Sequence, residues 1–157
     1  MLIKSFLYNS IFLTMLSPML AALFVGSTYF LKGSSEQFEK ITYRLVRFFY
    51  ILTLASGLSS LFMWRLNDAS FEAIQLANFH IDNDFSLNIS LYFDSFSLIF
   101  LTTSTFITFI IAFFSHRYLH RDPGYRRFFI TISLFAIGIN LVILAGTFDL
   151  IFAAWEI

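Results

Sequence analysis

The stretch that decides the fold is DSFSLIFLTTSTFITFIIAFF, residues 94–114. Asp94 is a strong helix N-cap, because its carboxylate accepts from the unpaired N–H groups of a first turn. From Phe96 to Phe114 there is no charged residue. A hydrocarbon core of about 30 Å takes roughly 20 such residues as a helix, so residues 96–114 read as a membrane span. The whole chain agrees. Of its 157 residues 58% are hydrophobic and 20% aromatic, and only 13% are charged, about half the charge of a soluble domain. There is no cysteine, which removes disulfides, thiolate chemistry and Cys-ligated metals.

Three further spans lie outward from this one. Phe6–Leu31 is the first. Its rival, a secretory signal, has an apolar region of about 7–15 residues and a small-x-small cleavage site, whereas this stretch is longer and ends in Tyr29, Phe30 and Leu31. Leu45–Trp64 is the second, with Phe48, Phe49 and Tyr50 at one end and Trp64 at the other expected as interfacial aromatics. Phe128–Ala145 is the fourth. After the tight connection Gly146-Thr147-Phe148-Asp149, Leu150–Ile157 opens a fifth.

The longest loop, Arg65–Asp94, holds five acids (Asp68, Glu72, Asp82, Asp84, Asp94) and one base. Within it Phe85, Leu87, Ile89, Leu91 and Phe93 alternate with Ser86, Asn88, Ser90 and Tyr92. That period of two predicts a strand, and a lone strand needs a partner. A hairpin with residues near Phe71–Phe79 is expected. The fold class is thus an all-α polytopic membrane protein, one module of four full helices and the start of a fifth, with a short hairpin in the 65–94 loop.

Charge sorts the orientation. Loops 32–47 and 115–127 fall on one side and carry eight of the ten Lys/Arg residues, and the positive-inside rule puts that side in the cytoplasm. The N-terminus and the strand loop then face outward. Pro123-Gly124 marks a turn in the second basic loop. Integral location in a bacterial inner membrane is expected, with lipids as partners. The basic loop suits anionic headgroups, and nucleic acid is not an expected partner.

Glu156 is the ionisable side chain set within an apolar segment. Seven residues into the helix it lies roughly 10 Å deep, and intramembrane acids mark ion or proton pathways. The plainer reading is a frayed end that never enters the bilayer. Asp149, seven residues earlier on the same face, is read first as a helix cap and second as the mouth of the same path. His116 and His120 have the i, i+4 spacing of two metal ligands. Four arginines surround them, which favours plain interfacial residues, and His80 reads as a surface residue. No Gly-rich phosphate loop, nucleophile elbow or redox motif is present, and no cofactor or metal is expected on this chain.

Asp94-Ser-Phe-Ser97, the loop Tyr118-Leu-His-Arg-Asp-Pro-Gly-Tyr-Arg-Arg127-Phe128-Phe129 and Trp155-Glu156 together resemble the N-terminal part of the antiporter-like membrane subunits. These are chain 5 (subunit L) of respiratory complex I, the large Mrp-type sodium/proton antiporter subunit and the membrane subunit of DAB-type inorganic-carbon uptake. The loop wording is closer to the carbon-uptake type. Two positions depart from the pattern: Ala154 stands where the family has Gly, and Ser95 follows Asp94 where the family has Gly. The resemblance implies that Glu156 is the fifth-span glutamate, which pairs with a lysine on a later helix. Lys4, Lys32 and Lys40 all fall in flanks or loops and do not fit that part. It also implies further helices, or another membrane subunit, as partners. Any oxidoreductase chemistry would belong to a whole complex and its other subunits. Unpaired carbonyls at a helix end are costly in hydrocarbon, so a fragment or split family member is expected. The alternative is a small structural membrane subunit without transport of its own.

Overall fold

The computed structural model describes residues 2–30, 35–67, 72–82 and 85–157. Five helices and one hairpin appear: α1 (Leu2–Ser27), α2 (Ser35–Leu66), β1 (Glu72–Asp82), β2 (Phe85–Phe93), α3 (Ser95–Tyr118), α4 (Tyr125–Leu144) and α5 (Phe148–Trp155). A 3-10 turn, Thr28–Phe30, follows α1. Four of the helices, α1 to α4, are long and apolar enough to cross a membrane. Their outer faces expose Phe12, Leu23, Phe62, Phe100, Phe106 and Phe135, an apolar surface that suits lipid and not water. The chain is an integral membrane protein.

The helices close a ring. α1 packs on α2 and α4, and α3 packs on the same two from the other side. In lipid the apolar effect does not hold helices together, so close approach and interhelical hydrogen bonds take over. The α1–α2 seam shows this. Thr14 Oγ1 donates to Ser56 Oγ at 2.9 Å, and the Ser17 and Thr53 hydroxyls bond at 2.6 Å. A Cβ on Gly57 would lie 2.9 Å from Thr105 Oγ1, so only glycine lets α2 and α3 approach this closely. Ser104 Oγ donates to Asn140 Oδ1 at 3.0 Å between α3 and α4, and Tyr50 and Ser133 join α2 to α4 across the ring at 3.2 Å.

An apolar cluster lies at each end of this polar waist. Leu7, Ile11, Trp64, Leu91, Phe93, Leu98, Leu101 and Leu144 pack under the hairpin. Val25, Val46, Phe49, Tyr50, Tyr125 and Phe129 pack among others at the basic end. The hairpin pairs antiparallel from Glu72↔Phe93 to Asp82↔Phe85, with irregularities at Gln75/Ala77 and His80/Asp82. It is tied to the helices where Leu91 bridges Ala145 and Gly146 N–H donates to the Ser90 carbonyl at 2.8 Å.

The structure revises several expected boundaries. Residues 35–47 are helical and not a loop, because Glu36, Gln37, Lys40 and Arg44 are good helix formers and Glu36 pairs with Lys40 one turn on, at 2.7 Å. The basic segment 115–127 is helical up to Tyr118 and again from Tyr125. Between them Asp122 Oδ1 accepts from Gly124 N–H at 2.6 Å, which forms the expected turn. Trp64 and Tyr50 are buried in the two clusters. Leu31, Lys32, Asp68, Phe71 and Asp84 lie outside the described residues, as does the side chain of His80.

Candidate functional site

α5 turns back along α4. Ala154 is buried against Gly138, where an added Cβ would lie 3.1 Å from the Ala154 carbonyl oxygen and 3.6 Å from Ile157 Cβ. Gly138 is six residues from the end of α4, so this contact lies about 9 Å along the helix from that end. Glu156 is the C-cap of α5 and is therefore carried to the same level. Its carboxylate is exposed on the ring's flank and takes no hydrogen bond or ion pair from any described residue. Trp155 beside it is 78% exposed. A groove of ≈ 500 Å³ runs along this flank between Leu134, Phe135, Gly138, Trp155 and Ile157.

Asp149 is not the cap. Thr147 holds that position without a side-chain cap bond, and Asp149 sits in the first turn, where its charge suits the positive end of the helix. Of the lysines, Lys40 is paired with Glu36 at the basic end.

The remaining motif residues divide by task. Asp94 and Ser97 form a capping box at the start of α3. Ser97 N–H donates to Asp94 Oδ1 at 2.9 Å and Asp94 N–H donates to Ser97 Oγ at 2.8 Å. Ser97 N–H, together with Ser97 Oγ, which donates to Asp94 Oδ1 at 2.9 Å, holds the Asp94 carboxyl below the usual carboxylate range. Phe129 is fully buried beside Tyr125, Phe128 packs against that cluster, and Tyr118 and Arg127 point outward.

The two histidines do not share a ligand. His120 Nδ1 meets Glu39 Oε2 at 2.9 Å. His116 Nδ1 meets the Tyr125 hydroxyl at 2.7 Å, with its ring stacked on Tyr43 at 3.6 Å. Among the described residues no group of three His, Asp or Glu side chains is placed to hold a metal.

Glu39, not singled out from the sequence, is the centre of this region. It is 9% exposed, and its second oxygen, Oε1, accepts from Arg121 N–H at 2.6 Å. Arg121 reaches it from a left-handed backbone, φ 65°, uncommon for a residue with a side chain. The signal was available in the helical period. Glu39, Thr42, Val46, Tyr50, Thr53, Gly57 and Ser60 form one buried stripe of α2. Beside it Arg126 donates to the Thr28 carbonyl at 3.0 Å and lies between the Tyr29 and Phe38 rings at 4.0 and 4.8 Å.

Residues 79–129 match the family described as NADH-ubiquinone oxidoreductase (complex I), chain 5 N-terminus. The chain is 30% identical over 146 residues to NADH-ubiquinone oxidoreductase chain 5 of Mammuthus primigenius, which covers 92% of this chain and 23% of the relative. It is 30% identical over 158 residues to NADH-quinone oxidoreductase subunit L of Buchnera aphidicola, covering 95% and 23%. Against chain 5 of Felis catus the identity is 37% over 87 residues, covering 54% and 14%. The resemblance read from the motifs therefore holds over most of this chain, and the chain spans about a quarter of the length of the first and second of these relatives.

Proposed function

We propose that this chain forms the N-terminal four-helix unit, with the opening of the fifth helix, of a proton-translocating membrane subunit of the NADH-quinone oxidoreductase type. The observation that supports it best is the match at residues 79–129, followed by an α5 that brings Trp155-Glu156 back alongside α4. Glu156 is the proton-pathway residue in this reading. A carboxylate at that depth is costly unless a partner meets it, and its exposure on the flank leaves room for a helix carrying one. Membrane subunits of the same complex are the proposed partners. The inorganic-carbon-uptake branch rests on the Leu119–Tyr125 wording alone, while the relatives above carry oxidoreductase names. The oxidoreductase branch is therefore the reading adopted.

The test is NADH-driven proton uptake in vesicles from the host membrane. E156Q should lower it by about a hundredfold, the low end of the range for removing a proton-transfer group, while the chain stays in the membrane at wild-type amounts. Uptake unchanged by E156Q overturns the assignment. The orientation, basic end in the cytoplasm of a bacterial inner membrane, is tested on the natural cysteine-free background. N88C should react with an impermeant maleimide from outside, and R121C only after the membrane is opened. The reverse pattern inverts the topology.

A further inference from the structure

The basic end has a site that the Glu156 assignment does not use. A cleft of ≈ 570 Å³ opens there, lined among others by Glu36, Glu39, His120, Arg121, Tyr125 and Arg126. Its acids are each engaged: Glu36 by Lys40, Asp122 by Gly124 N–H, and Glu39 by both His120 and Arg121 N–H. Glu39 is the buried one among them. Behind it Tyr125, 2% exposed, lines the same cleft and bonds His116.

We propose that Glu39 and His120, backed by Tyr125 and His116, form a proton-exchange site through which the four-helix unit trades protons with the aqueous phase at its basic end. The proposal rests on the proton-translocation reading and adds its second aqueous contact, at the end of the bundle away from the hairpin.

The chemistry follows from the contacts. One proton lies between Glu39 Oε2 and His120 Nδ1, on the imidazole or on the carboxyl, and either placement keeps the hydrogen bond. His120 is the more exposed partner, at 56% of its side chain, and Glu39 the less, at 11%. The pair therefore has a wet member and a dry one. Further in, the Tyr125 hydroxyl donates to His116 Nδ1 when that nitrogen is bare, and accepts from it when the ring carries both protons. A proton arriving at His116 reverses one hydrogen bond and breaks none. Tyr43, stacked on His116, holds the ring plane during that reversal. A proton taken from water at His120 Nε2 sends the Nδ1 proton to Glu39 Oε2, the reverse returns it to water, and no electron moves. The Oε1 contact to Arg121 N–H fixes the carboxylate, and a side-chain-bearing residue held at φ 65° to supply it is the kind of local cost that collects at functional sites. Thr42, one turn along the same stripe, keeps a buried hydroxyl with no partner among the described residues, so the face stays polar beyond Glu39.

Glu36, Arg121, Asp122, Tyr125 and Arg126 share the cleft with the pair, Lys40 pairs with Glu36, and Tyr43 and Arg117 lie beside His116. A plain clasp between α2 and the α3–α4 turn would use the same contacts, so the test must separate the two.

In host-membrane vesicles, NADH-driven proton uptake is measured between pH 6 and pH 8 for the wild type, E39Q, E39D, H116Q and E156Q. The melting temperature of each purified chain is measured alongside. E39Q is expected to lower uptake by about a hundredfold at an unchanged melting temperature. H116Q lowers it less, and E39D recovers part of the rate with a displaced pH profile. In the purified chain, NMR titration should show His116 moved by E39Q. Wild-type uptake in E39Q beside a defective E156Q overturns the exchange site and leaves the Glu156 assignment standing. A loss in E39Q that matches loss of folded protein, with E39D no better, reduces the pair to a clasp and also overturns it. An unmoved His116 titration does the same. Uptake indifferent to both E39Q and E156Q removes the translocation reading together with the site.

Discussion

At the hairpin end of the ring, Leu91 and Phe93 from β2 press onto Leu7, Ile11, Trp64, Leu98, Leu101 and Leu144. At the basic end, Val46, Phe49 and Phe129 pack instead beside Tyr125, which touches His116, and near Glu39, which touches His120. One end is closed by apolar side chains on a backbone ladder. The other is closed by ionisable side chains reaching between elements that are about 80 residues apart in sequence. The difference teaches where each kind of sensitivity should lie. The hairpin end should answer to side-chain volume and hardly to pH above the carboxylate range. The basic end should answer to the identity of single polar groups.

The largest expected effect tests the first half of that contrast. Phe93→Ala removes a fully buried ring that meets Tyr8 edge-on at 6.0 Å. Truncating a buried Phe costs about 3–5 kcal/mol, so the chain in nanodiscs should melt many degrees lower, by the same amount at pH 6 and pH 8. A loss that depends on pH in that range would break the contrast, because it would show the basic end coupled to the hairpin core.

A smaller effect is expected at the joint between hairpin and helices. A Cβ on Gly146 would lie 2.6 Å from Ser90 Oγ and 2.9 Å from both the Ser90 carbonyl oxygen and the Tyr92 ring. All three belong to β2, and the carbonyl oxygen is backbone that cannot yield alone. Gly146→Val should therefore cost about 1–3 kcal/mol, in the usual range for overpacking. It should also speed amide exchange across β1 and β2 while leaving α2 and α3 protected. Uniform loss of protection would mean that hairpin and ring unfold as one unit.

Much of this was legible in the sequence, and what was not shares one cause. The spans, the Asp94 cap, the Pro123-Gly124 turn and the alternation in 85–93 are local patterns, and they survive into the structure. The start of α2 was missed because a run of charged residues reads as a loop when hydropathy alone sets the boundary. With that boundary wrong, Glu39 read as one more solvated charge. Placed on a helix starting at Ser35, it falls on the same stripe as Val46 and Tyr50, and its burial could have been expected. Its partners could not. His120 and Arg121 reach it only because α3 ends and turns at the same level as the start of α2, a consequence of ring packing that no local pattern encodes. The burial of Trp64 was missed for the complementary reason. An aromatic at the end of a span reads as exposed, but here Leu91 and Phe93 of the hairpin pack over that end and bury it.

The smallest effect probes the one carboxylate at the hairpin end whose contacts the structure resolves. Asp94 caps α3, and Ser97 N–H and Oγ hold its charged form. Its carboxyl lies below the usual range for that reason. The sign follows from linkage. A group whose folded-state value is depressed contributes stability that is complete above its unfolded value, about 3.9 for Asp, and that fades as pH falls through the folded value. Asp94→Ala should thus cost about 1 kcal/mol at neutral pH, the usual worth of a cap, and the difference from wild type should hold between pH 8 and pH 5 and shrink only in acid. Asp94→Asn should keep most of the cap, because the amide oxygen still accepts from Ser97 N–H, and should lose the acid dependence. Thermal melts of the three chains from pH 3 to pH 8 measure both. If the Asp94→Ala difference already closes between pH 7 and pH 6, a group other than Asp94 is titrating at the hairpin end, and pH sensitivity is not confined to the end that holds Glu39 and the two histidines.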